Sequence, residues 1–115
     1  IEHRSGSHST RLKEEEERLQ VSEYAAARLD DIWDYYAVEA SERVADRITK
    51  KIVDDIDWLL EHPRGGQYEP LLDHLGLKHR RLVSGDYKII YRIVDDLIFV
   101  SDIFDARQDP EKMAW

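Results

Sequence analysis

A chain of 115 residues and 13.6 kDa has room for one hydrophobic core rather than two. It is 42% hydrophobic and 37% charged, has no cysteine for a disulfide framework or thiolate metal site, and its longest apolar runs, such as Leu97 to Val100, fall far short of the roughly 20 residues of a membrane span. The formal net charge of -8 disfavours a general nucleic-acid binder, whose affinity rests on neutralising phosphates.

Residues Ile1 to Thr10 (IEHRSGSHST) are polar and aperiodic, and Glu14 to Glu17 is a run of acids. Residues 1–18 therefore read as a tail, flexible or left over from expression, and residues 19–115 as a single domain. No apolar leader is visible, so cytoplasmic residence is the expectation. Arg18-Leu19-Gln20-Val21 alternates and leaves room for a short first strand. Ser22 is placed to cap a helix with Glu23 in its first turn, and Ala25, Leu29, Ile32, Trp33 and Tyr36 form one apolar stripe. The pattern breaks at Glu39 to Ser41, where Ser41 can cap a second helix carrying Val44, Ile48, Ile52, Ile56 and Leu59 or Leu60. Pro63 disfavours helical geometry in the residue before it, so this helix should stop near His62, and Gly65-Gly66 opens a loop. Helices with so short a connection pack as an antiparallel hairpin.

From Lys78 onwards the period is two. Arg81-Leu82-Val83, Tyr87 to Val94 and Leu97 to Phe104 read as strands, joined by Ser84-Gly85-Asp86 and Asp95-Asp96. On the middle strand Tyr87, Ile89, Tyr91 and Ile93 share the face expected to meet the hairpin, while Lys88, Ile90 and Arg92 share a more open one. The fold class is α+β, an N-terminal helical hairpin packed on a C-terminal antiparallel β-meander. Charge divides the same way: Lys78, Arg80, Arg81, Lys88 and Arg92 stand against the single acid Asp86, whereas residues 30–57 are rich in acids.

Several residues have plain readings. Arg81 is balanced between a functional cation and a partner for Asp102 or Asp105 across the sheet. Tyr87 and Tyr91 alternate with isoleucines and read as core tyrosines more than as catalytic phenols. His74 and His79 have no metal-site spacing and read as surface histidines, and Trp33 and Trp58 as core residues. Asp54, Asp55 and Asp57 do not converge on a helix, and no Gly-rich phosphate loop follows a strand, so neither metal nor cofactor is implied.

The order of helical hairpin, Pro63 with Gly65-Gly66, Arg81-Leu82-Val83, Tyr87-Lys88-Ile89-Ile90-Tyr91-Arg92 and Ile103-Phe104-Asp105-Ala106-Arg107-Gln108-Asp109-Pro110 resembles the ParE/RelE superfamily of toxins from type II toxin–antitoxin systems. The resemblance spans roughly Val21 to Met113 and is closer to ParE-like members. It implies a toxin neutralised by a cognate antitoxin within a hetero-oligomer. ParE-like members inhibit DNA gyrase by binding it; RelE-like members are ribosome-dependent mRNA endonucleases.

A nuclease of that kind needs a proton acceptor, cations for the developing phosphorane charge and a proton for the leaving oxygen. Arg81 and Arg107 align with family arginines, and Tyr91 and His79 are the nearest proton-transfer groups, so Arg81, Tyr91 and Arg107 form the candidate catalytic set. Where several nuclease members place a histidine near the end of the last strand, this chain has Asp105, a poor proton donor near neutral pH. Gyrase inhibition therefore leads, with mRNA cleavage as the alternative. Candidates for binding target or antitoxin are Lys78, Arg80, Arg81, Lys88, Arg92 and Arg107. The antitoxin is expected to add a strand at a sheet edge or lay a helix beside the sheet, its acids meeting this basic face.

Overall fold

In the computed structural model, which describes residues 18–115, two serines fix where the helices begin. Ser22 Oγ accepts the Ala25 N–H at 3.0 Å and opens α1 (Glu23–Glu39); Ser41 Oγ accepts the Val44 N–H at 3.1 Å and opens α2 (Glu42–Trp58). Only Ala40 and Ser41 separate the helices, which pack side by side, and Trp33 Nε1 donates to Asp46 Oδ1 at 2.8 Å across the pair. The turn continues past Trp58 as far as His62, ahead of Pro63. The tail expected over residues 1–18 lies outside the described residues apart from Arg18.

Five strands form one sheet: β1 (Leu19–Val21), β2 (Gln67–Tyr68), β3 (Arg80–Ser84), β4 (Tyr87–Val94) and β5 (Leu97–Asp105). Their order is β1-β5-β4-β3-β2. The last three strands are the expected meander, turning at Gly85 (φ 60°) and Asp95 (φ 55°), residue types that tolerate the left-handed region. The early strand pairs in parallel with β5, a geometry that needs a long crossover, which the helical hairpin supplies. The β4–β5 register shifts between Ile90 and Tyr91, leaving Ser101 as the extra residue of a bulge.

Both faces of the sheet are covered, and this corrects one expectation. On the first face Ile32, Ile52, Ile56 and Leu59 meet Tyr87, Ile89, Tyr91, Val100 and Ile103, as the alternation of β4 predicted. The second face is not open at Ile90, which is fully buried with Leu72, Phe104 and Met113 in a smaller core. Short 3₁₀ segments, Pro70–Leu75 and Pro110–Lys112, bring that cover, and such segments carry no apolar period to read.

Two further expectations fail. Trp58 is 42% exposed and stacks on His62 instead of entering the core, because α2 ends there and the indole lies over the loop. His79 is only 2% exposed, buried where the chain enters β3; His74 is at the surface as expected.

Candidate functional site

The basic strands are organised around an acid. Glu69 is 2% exposed, and a buried carboxylate is costly unless charged donors surround it. Lys88 Nζ approaches its Oε1 at 3.1 Å and Arg81 Nη1 its Oε2 at 3.3 Å. Arg81 also donates to the Tyr68 carbonyl at 2.9 Å and to Gln67 Oε1 at 3.3 Å, fastening β2 to β3. Neither Asp102 nor Asp105 is its partner. Arg81 pairs with Ile90, which pairs with Asp102, so two strand spacings of roughly 4.8 Å each separate arginine from aspartate.

Tyr91 belongs to the opposite face. Its hydroxyl donates to the Pro63 carbonyl at 2.9 Å and accepts the Gly66 N–H at 2.9 Å. Burial raises the pKa of this phenol, with Gly66 and Arg80 opposing. Gly66 is required here, since a Cβ would stand 2.7 Å from the Tyr91 hydroxyl oxygen and press on the Arg81 carbonyl. Arg80 Nη1 donates to the Gly66 carbonyl at 2.8 Å, and its guanidinium lies 4.3 Å from the Tyr68 ring centroid.

Arg107 lies apart from both, beyond the end of β5. Its Nε and Nη2 grip the two Asp105 oxygens at 2.9 Å each, and its N–H donates to Oδ1 at 2.9 Å. This grip holds the Asp105 carboxyl below the usual range. A cleft of about 420 Å³ opens here, lined by Arg28, Tyr35, Tyr87, Asp105, Arg107 and Gln108. Burial, then the neighbouring Tyr36, pushes the Tyr87 phenol up, so it keeps its proton near neutral pH and is no general base.

Of the remaining candidates, Lys78 is exposed in a left-handed conformation (φ 57°) ahead of β3. Arg92 is half-buried, with its guanidinium 5.7 Å from the Phe99 ring centroid and, among the described residues, no hydrogen-bond partner for its Nε. His79 sits beside Arg92, and among the described residues neither ring nitrogen has a partner at hydrogen-bonding distance.

Arg81, Tyr91 and Arg107 thus do not meet. Arg81 is tied to Glu69 on one face, Tyr91 is sealed in the other, and Arg107 is occupied by Asp105 beyond the strand end. Among the described residues no group of three or more His, Cys, Asp or Glu is placed to hold a metal ion. The residue that sequence reasoning missed is Glu69, which the following Pro70 marks only as the start of a turn.

The family model described as "ParE toxin of type II toxin-antitoxin system, parDE" matches residues 19–110. The chain belongs to the ParE toxin family. A relative in Caulobacter vibrioides (strain ATCC 19089 / CIP 103742 / CB 15), "Toxin ParE1", is 31% identical over 74 residues, covering 64% of this chain and 74% of that protein. A solved structure, "Chromosomal ParDE TA system from P. aeruginosa", superposes with a TM-score of 0.63 over 76% of this chain and 92% of that one. At 22% identity that likeness shows the fold. Membership of the ParE family makes this chain the toxin component of a type II toxin–antitoxin pair, and its counterpart is an antitoxin. No helix among the described residues is long and apolar enough to cross a membrane.

Proposed function

We propose that this ParE-family toxin arrests growth in the cytoplasm by binding DNA gyrase, and that a cognate antitoxin neutralises it in a hetero-oligomer. The observation that carries a binding mechanism is the dispersal of Arg81, Tyr91 and Arg107, whose polar groups are already engaged with Glu69, Pro63 and Asp105 respectively. Phosphoryl transfer needs cations and a proton carrier converging within hydrogen-bond reach of one phosphate. Inhibition by binding needs only a rigid, complementary surface.

The cations left for partners are those with the least internal engagement. Arg92, near the end of β4 on the face that carries Ile90 and the smaller core, and Lys78, exposed just ahead of β3, are assigned to the antitoxin, whose acids would supply fast association. Arg107, exposed and shared between Asp105 and Asp86, is a secondary candidate. Arg81 and Lys88 serve the fold first.

The deciding experiment runs purified toxin in a gyrase supercoiling assay beside a ribosome-dependent mRNA cleavage assay. Inhibited supercoiling with intact mRNA, reversed by the antitoxin, is the expected result. Cleaved mRNA with normal supercoiling, abolished by Arg81→Ala or Arg107→Ala, would reject it in favour of a RelE-like nuclease.

A further inference from the structure

Two aromatic planes stay exposed around the Gly65-Gly66 loop, and both are held still. Trp58 is 42% exposed; its ring stacks on His62 with centroids 4.3 Å apart and planes inclined by 26°. Gly65 also lies against the ring, where a Cβ would clash with the indole, so the loop passes there only because this residue is glycine. Tyr68 is 57% exposed and lies under the Arg80 guanidinium. Arg80 is fixed by the Gly66 carbonyl, and Gly66 by the buried Tyr91 hydroxyl. A continuous series of contacts therefore runs from the sheet core, through the loop, to the exposed aromatics.

The charge here is also left open. No carboxylate of the described residues lies within salt-bridge distance of Arg64 or Arg80, although the chain as a whole is acidic. Tryptophan, tyrosine and arginine are the residues that dominate binding energy at protein interfaces, and side chains already ordered lose little entropy on docking. Glu61, exposed beside His62, and a net charge of -8 oppose a polyphosphate strand more than they oppose a few carboxylates.

We propose that Trp58, His62, Arg64, Tyr68 and Arg80, around Gly65-Gly66, form the surface with which the toxin grips its target, and that the target presents an acidic protein surface there. This rests on the toxin reading above and adds to it where on the chain the target docks. It also separates target docking from Lys78 and Arg92.

The test uses Tyr68→Ala, Arg64→Glu and their combination in the full chain, with thermal melts confirming the fold. Expressed without antitoxin, the double variant should arrest growth at least 10-fold less effectively than wild type. Purified, it should inhibit gyrase at least 10-fold more weakly, with a steeper salt dependence in wild type and antitoxin affinity kept within 3-fold. Variants that arrest growth as wild type does would overturn the proposal. So would a loss of antitoxin affinity in step with toxicity, or retention of a single-stranded oligonucleotide by wild type that the variants lose. If wild type arrests growth but leaves supercoiling intact, the gyrase reading falls and the growth comparison still decides the docking surface. A wild-type chain that does not arrest growth overturns both.

Discussion

Glu69 and Lys88 meet at 3.1 Å, with the carboxylate sealed from solvent and Arg81 closing on its other oxygen. Two of the basic residues that invite a nucleic-acid reading are thereby consumed in holding a loop. Glu69 also accepts the Leu71 N–H at 3.3 Å, so it caps the 3₁₀ segment that covers the second core.

The clamp predicts a stability effect. Removing one member of a buried ionic cluster typically costs about 3–5 kcal/mol, but Arg81 and Lys88 keep roughly a fifth of their surface in water and can rehydrate. Glu69→Ala should therefore lower stability by about 2 kcal/mol, read as the shift in urea midpoint at constant m-value. A change below about 0.5 kcal/mol would show that the clamp contributes little.

Tyr91→Phe separates a structural tyrosine from a catalytic one. Losing the hydroxyl leaves the Pro63 carbonyl and the Gly66 N–H without their partner, which should cost about 1–3 kcal/mol. Toxicity per folded molecule should stay within about 5-fold of wild type, whereas loss of a proton-transfer group typically costs about 10²–10⁴-fold. A folded Tyr91→Phe variant devoid of toxicity would contradict the assignment.

What was legible in the sequence was local. Ser22 and Ser41 announce their helices because a cap acts within one turn, and Tyr91 is readable as core because Ile89 and Ile93 share its face. The partner of Arg81 was not legible, since the contact joins residues 12 apart through a segment with no period. Strand alternation alone allows Asp102 or Asp105 as partners, but the register places Ile90 between Arg81 and Asp102 and puts Asp105 opposite Tyr87. The burial of His79 was not legible, because it depends on other parts of the chain, among them the main chain at Trp115. The docking surface around Gly65-Gly66 was half visible: the glycines signalled a loop, but not that Trp58 would lie against it.

His79 predicts the response to mild acid. Burial lowers its pKa below the ordinary 6.5, and Arg92 on β4 adds to this while the Trp115 main chain opposes it. The Glu69 N–H donates to the His79 carbonyl at 2.9 Å, and the Glu69 carboxylate itself is held by Lys88 and Arg81. Below pH 6.5 the unfolded chain takes up a proton that the folded chain refuses. The contribution of His79 is thus fully present above that value and is lost as pH falls through the folded-state pKa. Urea midpoints at pH 7.5 and 5.5 should show this decline, and His79→Gln should flatten it. An equal decline in His79→Gln would assign the effect to other groups.

Asp102 predicts the opposite sign. It is buried, donates nothing when charged, accepts the Ala114 N–H at 2.8 Å, and reaches Arg28 Nε only at 4.0 Å. Burial raises its pKa above 3.8, with Ala114, Arg28 and Ile103 opposing, so folding disfavours its charged form. The stability this group contributes is present below pH 3.8 and lost as pH rises through the folded-state pKa. Asp102→Asn keeps an acceptor for Ala114 and removes the charge, so at pH 7 it should be neutral or stabilising, within about 1 kcal/mol. Asp102→Ala removes the acceptor and should cost about 1–3 kcal/mol. Wild type and Asp102→Asn should converge as the pH falls through the folded-state pKa, where the native carboxyl takes up its proton. If Asp102→Asn cost as much as Asp102→Ala at pH 7, the long contact with Arg28 would have to be a stabilising ion pair.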